Sequence, residues 1–365
     1  MDQLDERHMR HALTLAARGL GRTGRVPSVG CVIVAPDSRI VGRGRTDDRG
    51  RPHGEAVALA QAGAAAKGAA AYVTLEPCAH LGGNGPPCAD ALIASGINRV
   101  VVAMSDPDPR TNGQGIARLR AAGISITEGV LKREAESLNR GFVLRMTENR
   151  PLVTLKLAQS ADGFTARAPG EDQRITGEEA RRFGQLLRAQ HDAILVGIET
   201  VLADDPELTC RIPGLEKYSP LRIVLDSRLR LGLRAKLAQT ARKIPTMVFT
   251  AKNGGDELKA AGVEVIRLPP DTDGHIVLGD VLQMLAGRGI NRLFVEGGAT
   301  IANAFLKSGF ADRLEMFTAP MSLANTGRCG AGALTVGKLR EAPNFMRVSV
   351  RSFGADRLES FEATS

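Results

Sequence analysis

Two stretches decide how this chain is read: His53-Gly54-Glu55, and Tyr72-Val73-Thr74-Leu75-Glu76-Pro77-Cys78-Ala79-His80 with Pro86-Pro87-Cys88 behind it. One imidazole and two thiols make a tetrahedral zinc donor set with the fourth position left to water. A zinc ion held by His53, Cys78 and Cys88 lowers the pKa of that water toward about 7 and so makes a hydroxide nucleophile. Glu55 stands two residues from His53, near enough to move protons at the same centre without ligating it. Around these residues the sequence predicts an Ala-rich helix over 53–67, a strand over 70–75 and a helix over 88–95. Both cysteines are then expected near helix N-termini, where the positive dipole end favours thiolate. Two bland readings stay open: a structural zinc with His80 as fourth ligand, and buried cysteines with no metal.

Outward from this core, residues 29–34 read as a buried strand. Asp37-Ser38 supplies turn chemistry, and 40–44 returns as a hairpin partner. A strand over 99–105, a helix over 115–122 and a strand over 124–129 follow. The alternation predicts an α/β sheet with helices on both faces. A charged amphipathic helix over 131–148 runs up to Pro151, which disfavours helix in the residue before it. That places two domains, residues 1–148 and 149–365. The second repeats the α/β pattern, with strands over 152–157, 193–197, 221–226, 246–250, 263–268 and 292–296. A helix with a capping box from Thr176 to Glu179 is expected, with further helices over 280–286 and 301–308. Closing strands fall within 348–361, and the Gly-rich stretch 327–337 reads as a loop.

The 365 residues are enough for two domains, and 43% hydrophobic content is enough for two cores. The net charge of +8 comes from scattered basic residues, which suits a phosphorylated ligand better than a nucleic acid. Aromatics at 4% with no Trp leave little for base stacking, so no nucleic-acid partner is expected. The five cysteines are odd in number and dispersed, unlike a disulfide framework. The charged N-terminus lacks the apolar core of a signal peptide, and no run approaches a membrane span. A cytoplasmic, reducing location is expected, with thiols free for metal and no membrane partner.

The His-x-Glu and Pro-Cys elements match the zinc deaminase signature, with the second cysteine farther along than usual. The run 72–80 with Pro86-Pro87-Cys88 resembles one branch, the bifunctional deaminase–reductases of riboflavin biosynthesis. The second half is similar to the same family independently. It does so at Lys156-Leu157-Ala158-Gln159-Ser160-Ala161-Asp162-Gly163, at Leu187-Arg188-Ala189-Gln190, along 197–211, and at Val295-Glu296-Gly297-Gly298.

The resemblance implies a cytidine-deaminase-like three-layer domain followed by a dihydrofolate-reductase-like α/β domain. It implies deamination of 2,5-diamino-6-ribosylamino-4(3H)-pyrimidinone 5′-phosphate, then NADPH-dependent reduction of the ribosyl to the ribityl side chain. Zn2+ and NADPH are the cofactors implied, and a homo-oligomer the assembly. Carried onto matching positions, Glu55 is catalytic and His53, Cys78 and Cys88 are metal ligands. Arg188, Leu208, Arg211 and Glu296 hold substrate, and Ala158, Arg174, Thr200, Asp204, Ser227, Gly298, Ala299 and Thr300 meet NADPH. Arginine forks suit a 5′-phosphate. Backbone N–H groups at a helix start after Gly297-Gly298 suit a pyrophosphate.

The chain departs from the family at several positions. Val26, Thr46, Gly54, Asp108 and Arg174 stand where Asn, His, Ala, Asn and Trp are usual, and Asn84-Gly85 replaces Lys-Thr. These changes motivate an alternative, a working reductase with a weak or differently specific deaminase. An alternative of another class, suggested by the positive charge, is a deaminase that edits nucleic acid.

Overall fold

The computed structural model describes residues 2–80, 85–166, 175–323, 328–329 and 344–364. The chain divides into two compact units, Met1–Arg150 and Pro151–Ser365.

In the first unit the elements run α1 (Gln3–Ala17), β1 (Gly30–Val34), β2 (Ile40–Arg45), α2 (Gly54–Ala62), β3 (Ala70–Val73), α3 (Cys88–Ala94), β4 (Arg99–Val102), α4 (Gln114–Ala121), β5 (Ser125–Glu128) and α5 (Lys132–Glu148). The sheet order is β2-β1-β3-β4-β5. The expected hairpin β1–β2 is antiparallel, as is β1–β3, and β3, β4 and β5 are parallel. Glycines let helices lie flat on both faces. A Cβ at Gly30 would fall 1.9 Å from the Ala12 carbonyl of α1, and one at Gly44 would fall 2.1 Å from the Gly54 carbonyl of α2. Gly44 pairs with Cys31, so Gly30 and Cys31, adjacent in β1, face opposite helices.

The sequence reading missed α1. Its buried stripe is Asp5, His8, Met9, Ala12, Leu13 and Ala16, and two ionisable residues in that stripe hide the apolar period. Asp5 is buried because Arg99 grips both its oxygens at 2.9 and 2.6 Å and the Tyr72 hydroxyl donates at 2.9 Å. The helix expected over 53–67 is broken at Gly63, whose φ of 52° lies in the left-handed region.

The second unit holds β6 (Leu152–Gln159), β7 (Phe164–Ala166), α6 (Glu178–Ala189), β8 (Ala193–Gly197), α7 (Ile198–Asp204), β9 (Leu221–Leu225), α8 (Lys236–Gln239), β10 (Thr246–Thr250), α9 (Asp256–Ala260), β11 (Glu264–Arg267), α10 (Leu278–Gly287), β12 (Arg292–Val295), α11 (Ala299–Lys307), β13 (Arg313–Thr318), β14 (Arg328–Cys329), β15 (Phe345–Phe353) and β16 (Asp356–Ala363). The nine-stranded sheet has the order β11-β10-β9-β8-β12-β6-β13-β16-β15. The seven strands from β11 to β13 are parallel, and the C-terminal hairpin closes the sheet antiparallel.

Alternate strand residues enter opposite cores. Leu195, Ile223, Phe249 and Val295 pack with Leu285 of α10 and Phe305 of α11. Val196, Val224, Val248 and Phe294 pack with Leu187 of α6 and Leu237 of α8. The period of two with both residues buried marks a sheet covered on both faces.

One local expectation is corrected. No capping box forms at Thr176: Gly177 is the N-cap of α6, and its N–H donates to Asp356 Oδ2 at 2.6 Å. The C-terminal hairpin thus supplies the acceptor. Residues 198–204, to which the sequence reading assigned no element, form α7. The loop expected over 327–337 lies, apart from residues 328–329, outside the described residues.

Candidate active sites

In the first unit, His53 is the N-cap of α2, Cys78 sits in the loop after β3, and Cys88 opens α3. Their ligand atoms all lie within 4.8 Å of one another. His53 Nδ1 is 3.6 Å from Cys78 Sγ and 3.3 Å from Cys88 Sγ. Cys78 is itself in no helix. Its sulfur nevertheless reaches the start of α3, where the Cys88 N–H donates to it at 3.4 Å. His80 stands outside the cluster, with Nδ1 3.0 Å from Thr111 Oγ1, so no four-ligand set with His80 forms.

The donor chemistry fits zinc. The side-chain hydrogen bond with Cys88 pulls the Cys78 thiol down to about 4 against the effect of burial, with His53 helping. Cys88, on the other side of that bond, is pushed up. Hydrogen bonding to Cys78 raises His53 in spite of burial.

Glu55, in the first turn of α2, is 2% exposed. Burial pushes its carboxyl up to about 7, partly offset by His53. Among the described residues, its Oε2 has no hydrogen-bond partner. A buried carboxyl with an unused oxygen, titrating near neutrality beside a three-ligand cluster, can both take and give a proton.

Two of the departures, Thr46 and Gly54, meet the same segment. Thr46 is buried; its Oγ1 accepts from the Val29 N–H at 2.9 Å and donates to the Pro27 carbonyl at 3.1 Å. A Cβ at Gly54 would fall 2.6 Å from the Val29 carbonyl. Segment 26–29 therefore lies tightly between Thr46 and the start of α2. Asp108 is neutralised by Arg110, whose Nε and NH2 donate to it at 2.9 and 2.5 Å.

In the second unit, parallel strands lead to most of the residues carried over for substrate and cofactor. Thr200 follows β8, Ser227 follows β9, and Glu296, Gly298, Ala299 and Thr300 follow β12. Strand β8 connects onward to β9 on one side, whereas its neighbour β12 connects past β6 to β13 on the other. Adjacent strands with opposed connections form a crevice at their C-terminal ends, the usual ligand position in such sheets. Here the crevice is narrow. A Cβ at Gly298 would lie 3.8 Å from Thr200 Oγ1, and one at Gly197 would lie 2.8 Å from Ile301. The starts of α7 and α11 thus converge.

Arg188 and Glu296 meet directly, with Nε to Oε2 at 2.8 Å, and Arg188 NH1 also donates to the Thr209 carbonyl at 3.0 Å. Lys156, quoted in the sequence motif without a role, sits 3.6 Å from Glu296 Oε1. Leu208 is buried with φ of 55°, and Arg211 is exposed, its N–H donating to Gln185 Oε1. Asp204 is exposed at the end of α7, and Ala158 is half-buried in β6. Arg174 lies outside the described residues.

Two residues of consequence escaped the sequence reading. Glu76, quoted in the sequence motif without a role, is a buried carboxylate in the loop after β3. Arg222 alternates with apolar residues in β9 and is wholly buried. In each case the signal was an ionisable residue at a core position.

Comparison with known proteins agrees with both halves. Residues 2–104 match the cytidine and deoxycytidylate deaminase zinc-binding region, and residues 151–357 match the RibD C-terminal domain. The riboflavin biosynthesis protein RibD of Escherichia coli is 43% identical over 96% of this chain and 97% of its own length. The RibD of Aquifex aeolicus is 41% identical over 99% of each. The structure of Acinetobacter baumannii RibD superposes with a TM-score of 0.86 at 37% identity, covering 100% of this chain and 99% of that one. A diaminohydroxyphosphoribosylaminopyrimidine deaminase/5-amino-6-(5-phosphoribosylamino)uracil reductase from Thermotoga maritima gives 0.85 at 32%, covering 99% of each. Among the described residues, no helix is long and apolar enough to cross a membrane. With a His-Cys-Cys centre in one unit and a reductase domain in the other, the chain belongs to the RibD family, the bifunctional zinc-dependent deaminases and NADPH-dependent reductases of riboflavin biosynthesis.

Proposed function

We propose that residues 1–148 deaminate 2,5-diamino-6-ribosylamino-4(3H)-pyrimidinone 5′-phosphate and that residues 149–365 reduce the product's ribosyl chain to ribityl with NADPH. The observation that carries the reading is the cluster of His53, Cys78 and Cys88 with the unpartnered Glu55 oxygen beside it. Those three residues hold zinc, which supplies a water acidified to near neutrality. Glu55 takes up a proton on Oε2 and gives it to the leaving amine nitrogen. Burial keeps its carboxyl near 7, so both transfers are close to balanced.

In the second unit, Arg188, Leu208, Arg211 and Glu296 hold the substrate. Arg211, exposed, is the clamp for the 5′-phosphate, and Arg188 is set in place by Glu296 and the Thr209 carbonyl. Ala158, Arg174, Thr200, Asp204, Ser227, Gly298, Ala299 and Thr300 surround NADPH. Convergence of the starts of α7 and α11 supports a pyrophosphate position there, because free N–H groups and the helix dipole both favour an anion. The reading extends to a cytoplasmic homo-oligomer.

The test is a paired assay on zinc-loaded protein, following ammonia release and then NADPH oxidation. Glu55→Ala is expected to abolish ammonia release while zinc is retained. Arg211→Ala is expected to abolish the oxidation that follows. Ammonia release that survives Glu55→Ala would remove the proposed proton carrier, and oxidation only with supplied deaminated intermediate would mean an idle first unit.

A further inference from the structure

The carboxylate of Glu76 is 2% exposed, and among the described residues it forms no ion pair. Its partners are four backbone N–H groups. Those of Gly115 and Ile116 donate to Oε1 at 3.0 and 3.2 Å; those of Gly113 and Asp106 donate to Oε2 at 3.0 and 3.3 Å. Three of the four belong to the start of α4, whose own N-cap, Gly113, offers no side-chain acceptor. A helix start leaves its first N–H groups without partners, so a carboxylate delivered from 37 residues earlier satisfies both hydrogen bonding and dipole.

The next residue is clamped from the other side. A Cβ at Gly115 would fall 2.0 Å from the Pro77 carbonyl, so the first turn of α4 rests directly on the peptide leading to Cys78. Proline's fixed φ leaves that peptide little freedom. From there the order passes to both sulfurs. The Cys78 carbonyl accepts from the Ala89 N–H at 3.2 Å, and Cys78 Sγ accepts from the Cys88 N–H at 3.4 Å.

We propose that Glu76 is a positioning residue of the metal centre. Seated in the N-terminus of α4 with Pro77 pressed on Gly115, it fixes Cys78 Sγ, and through it Cys88, in the geometry that holds zinc. The inference rests on the reading of His53, Cys78 and Cys88 as zinc ligands. Ligands held in place before the ion arrives lose little freedom when they bind it, and residues behind a metal's ligands commonly govern its retention.

The full-length chain with Glu76→Gln tests this. The amide keeps the shape but turns an NH2 group toward two N–H donors. Zinc release to a chromogenic chelator is expected to quicken at least about ten-fold. In the cobalt-substituted protein, the thiolate-to-cobalt charge-transfer bands are expected to shift and weaken. Gly115→Ala, which drives a methyl against the Pro77 carbonyl, is expected to do the same. A folded Glu76→Gln and Gly115→Ala pair, by circular dichroism, with wild-type zinc release and cobalt bands would overturn the proposal and leave Glu76 a helix cap only. Failure of both variants to fold would overturn it too, since the seat would then serve the whole unit rather than the ligand. Wild-type protein without stoichiometric zinc, or Cys78→Ser with zinc retained unchanged, marks instead a failure of the ligand reading.

Discussion

Arg188 Nε lies 2.8 Å from Glu296 Oε2, and Lys156 Nζ approaches the other oxygen at 3.6 Å, so one carboxylate after β12 serves cations from α6 and β6. Burial pushes the Glu296 carboxyl up, but the charges of Arg188 and Lys156 together hold it below the ordinary value of 4.5. The three residues tie β6, α6 and the segment after β12 together.

Glu296→Gln leaves both cations without their counter-charge and is expected to destabilise the second unit by about 3 kcal/mol. The sign with pH follows from the lowered pKa. The carboxylate's contribution is fully present above 4.5 and is lost as pH falls through the lower folded value, because the unfolded chain binds the proton first. Denaturant midpoints of wild type and variant should therefore converge toward acid. Parallel midpoints down through that range would show the pair to be unimportant.

His191 is fully enclosed, its Nδ1 donating to the Leu187 carbonyl at 2.6 Å and its Nε2 accepting from Thr154 Oγ1 at 2.9 Å. Both bonds suit a neutral ring. Burial, with Arg292 nearby, pushes its pKa well below 6.5. In the unfolded chain the ring takes a proton below 6.5, so stability is expected to fall as pH drops through that value. His191→Asn should flatten this slope, as read from thermal midpoints between pH 7 and about pH 5.

Gly54→Ala adds a methyl group at the start of α2. With a Cβ only 2.6 Å from the Val29 carbonyl, the substitution is expected to destabilise the first unit by about 1–3 kcal/mol. It should also slow ammonia release, since His53 and Glu55 flank the displaced residue. A neutral or stabilising effect on the unfolding midpoint would mean that β1 and α2 can part cheaply.

Among the described residues, the buried guanidinium of Arg222 has no carboxylate hydrogen-bonded to it. Its five bonds go to the Glu207, Leu237 and Ile244 carbonyls and to the Thr240 and Thr246 hydroxyls. Burial pushes its pKa down to about 10, which still leaves it charged at neutral pH. Arg222→Met removes the donors from three carbonyls and is expected to cost about 3–5 kcal/mol. Because Glu207 precedes Leu208 and Arg211, the KM for the phosphorylated substrate should rise more than that for NADPH. Equal changes in the two KM values would count against a role for Arg222 in setting that loop.

Much of the site was written in short-range pattern. The spacing of His53 and Glu55 at one helix start, and of Cys78 and Cys88 around one loop, already named the metal set. Ordered motifs from Lys156 to Gly298 already named the second chemistry. Strands β8 and β10 were legible to the residue because both faces are buried and the run is apolar apart from the threonines that end β10. Helix α1 was missed, and the buried role of Arg222 in the expected strand β9 was missed with it, for one cause. Ionisable side chains occupy core positions there, and only partners distant in sequence make that tolerable: Arg99 and Tyr72 for Asp5, and carbonyls from the 237–244 segment for Arg222.

By itself, then, the sequence determined the donor chemistry, the order of the two catalytic units and the alternation of strands and helices, since all three depend on residue type and local spacing. Tertiary structure decided the rest. It turned Cys78 toward the α3 start without placing it in a helix, gave Glu296 two cations, excluded His80 from the metal cluster, and set Glu76 into the start of α4. Each of these is a contact between segments brought together by the sheets. Their energies come from desolvation and hydrogen bonding inside a closed core, which no local pattern encodes.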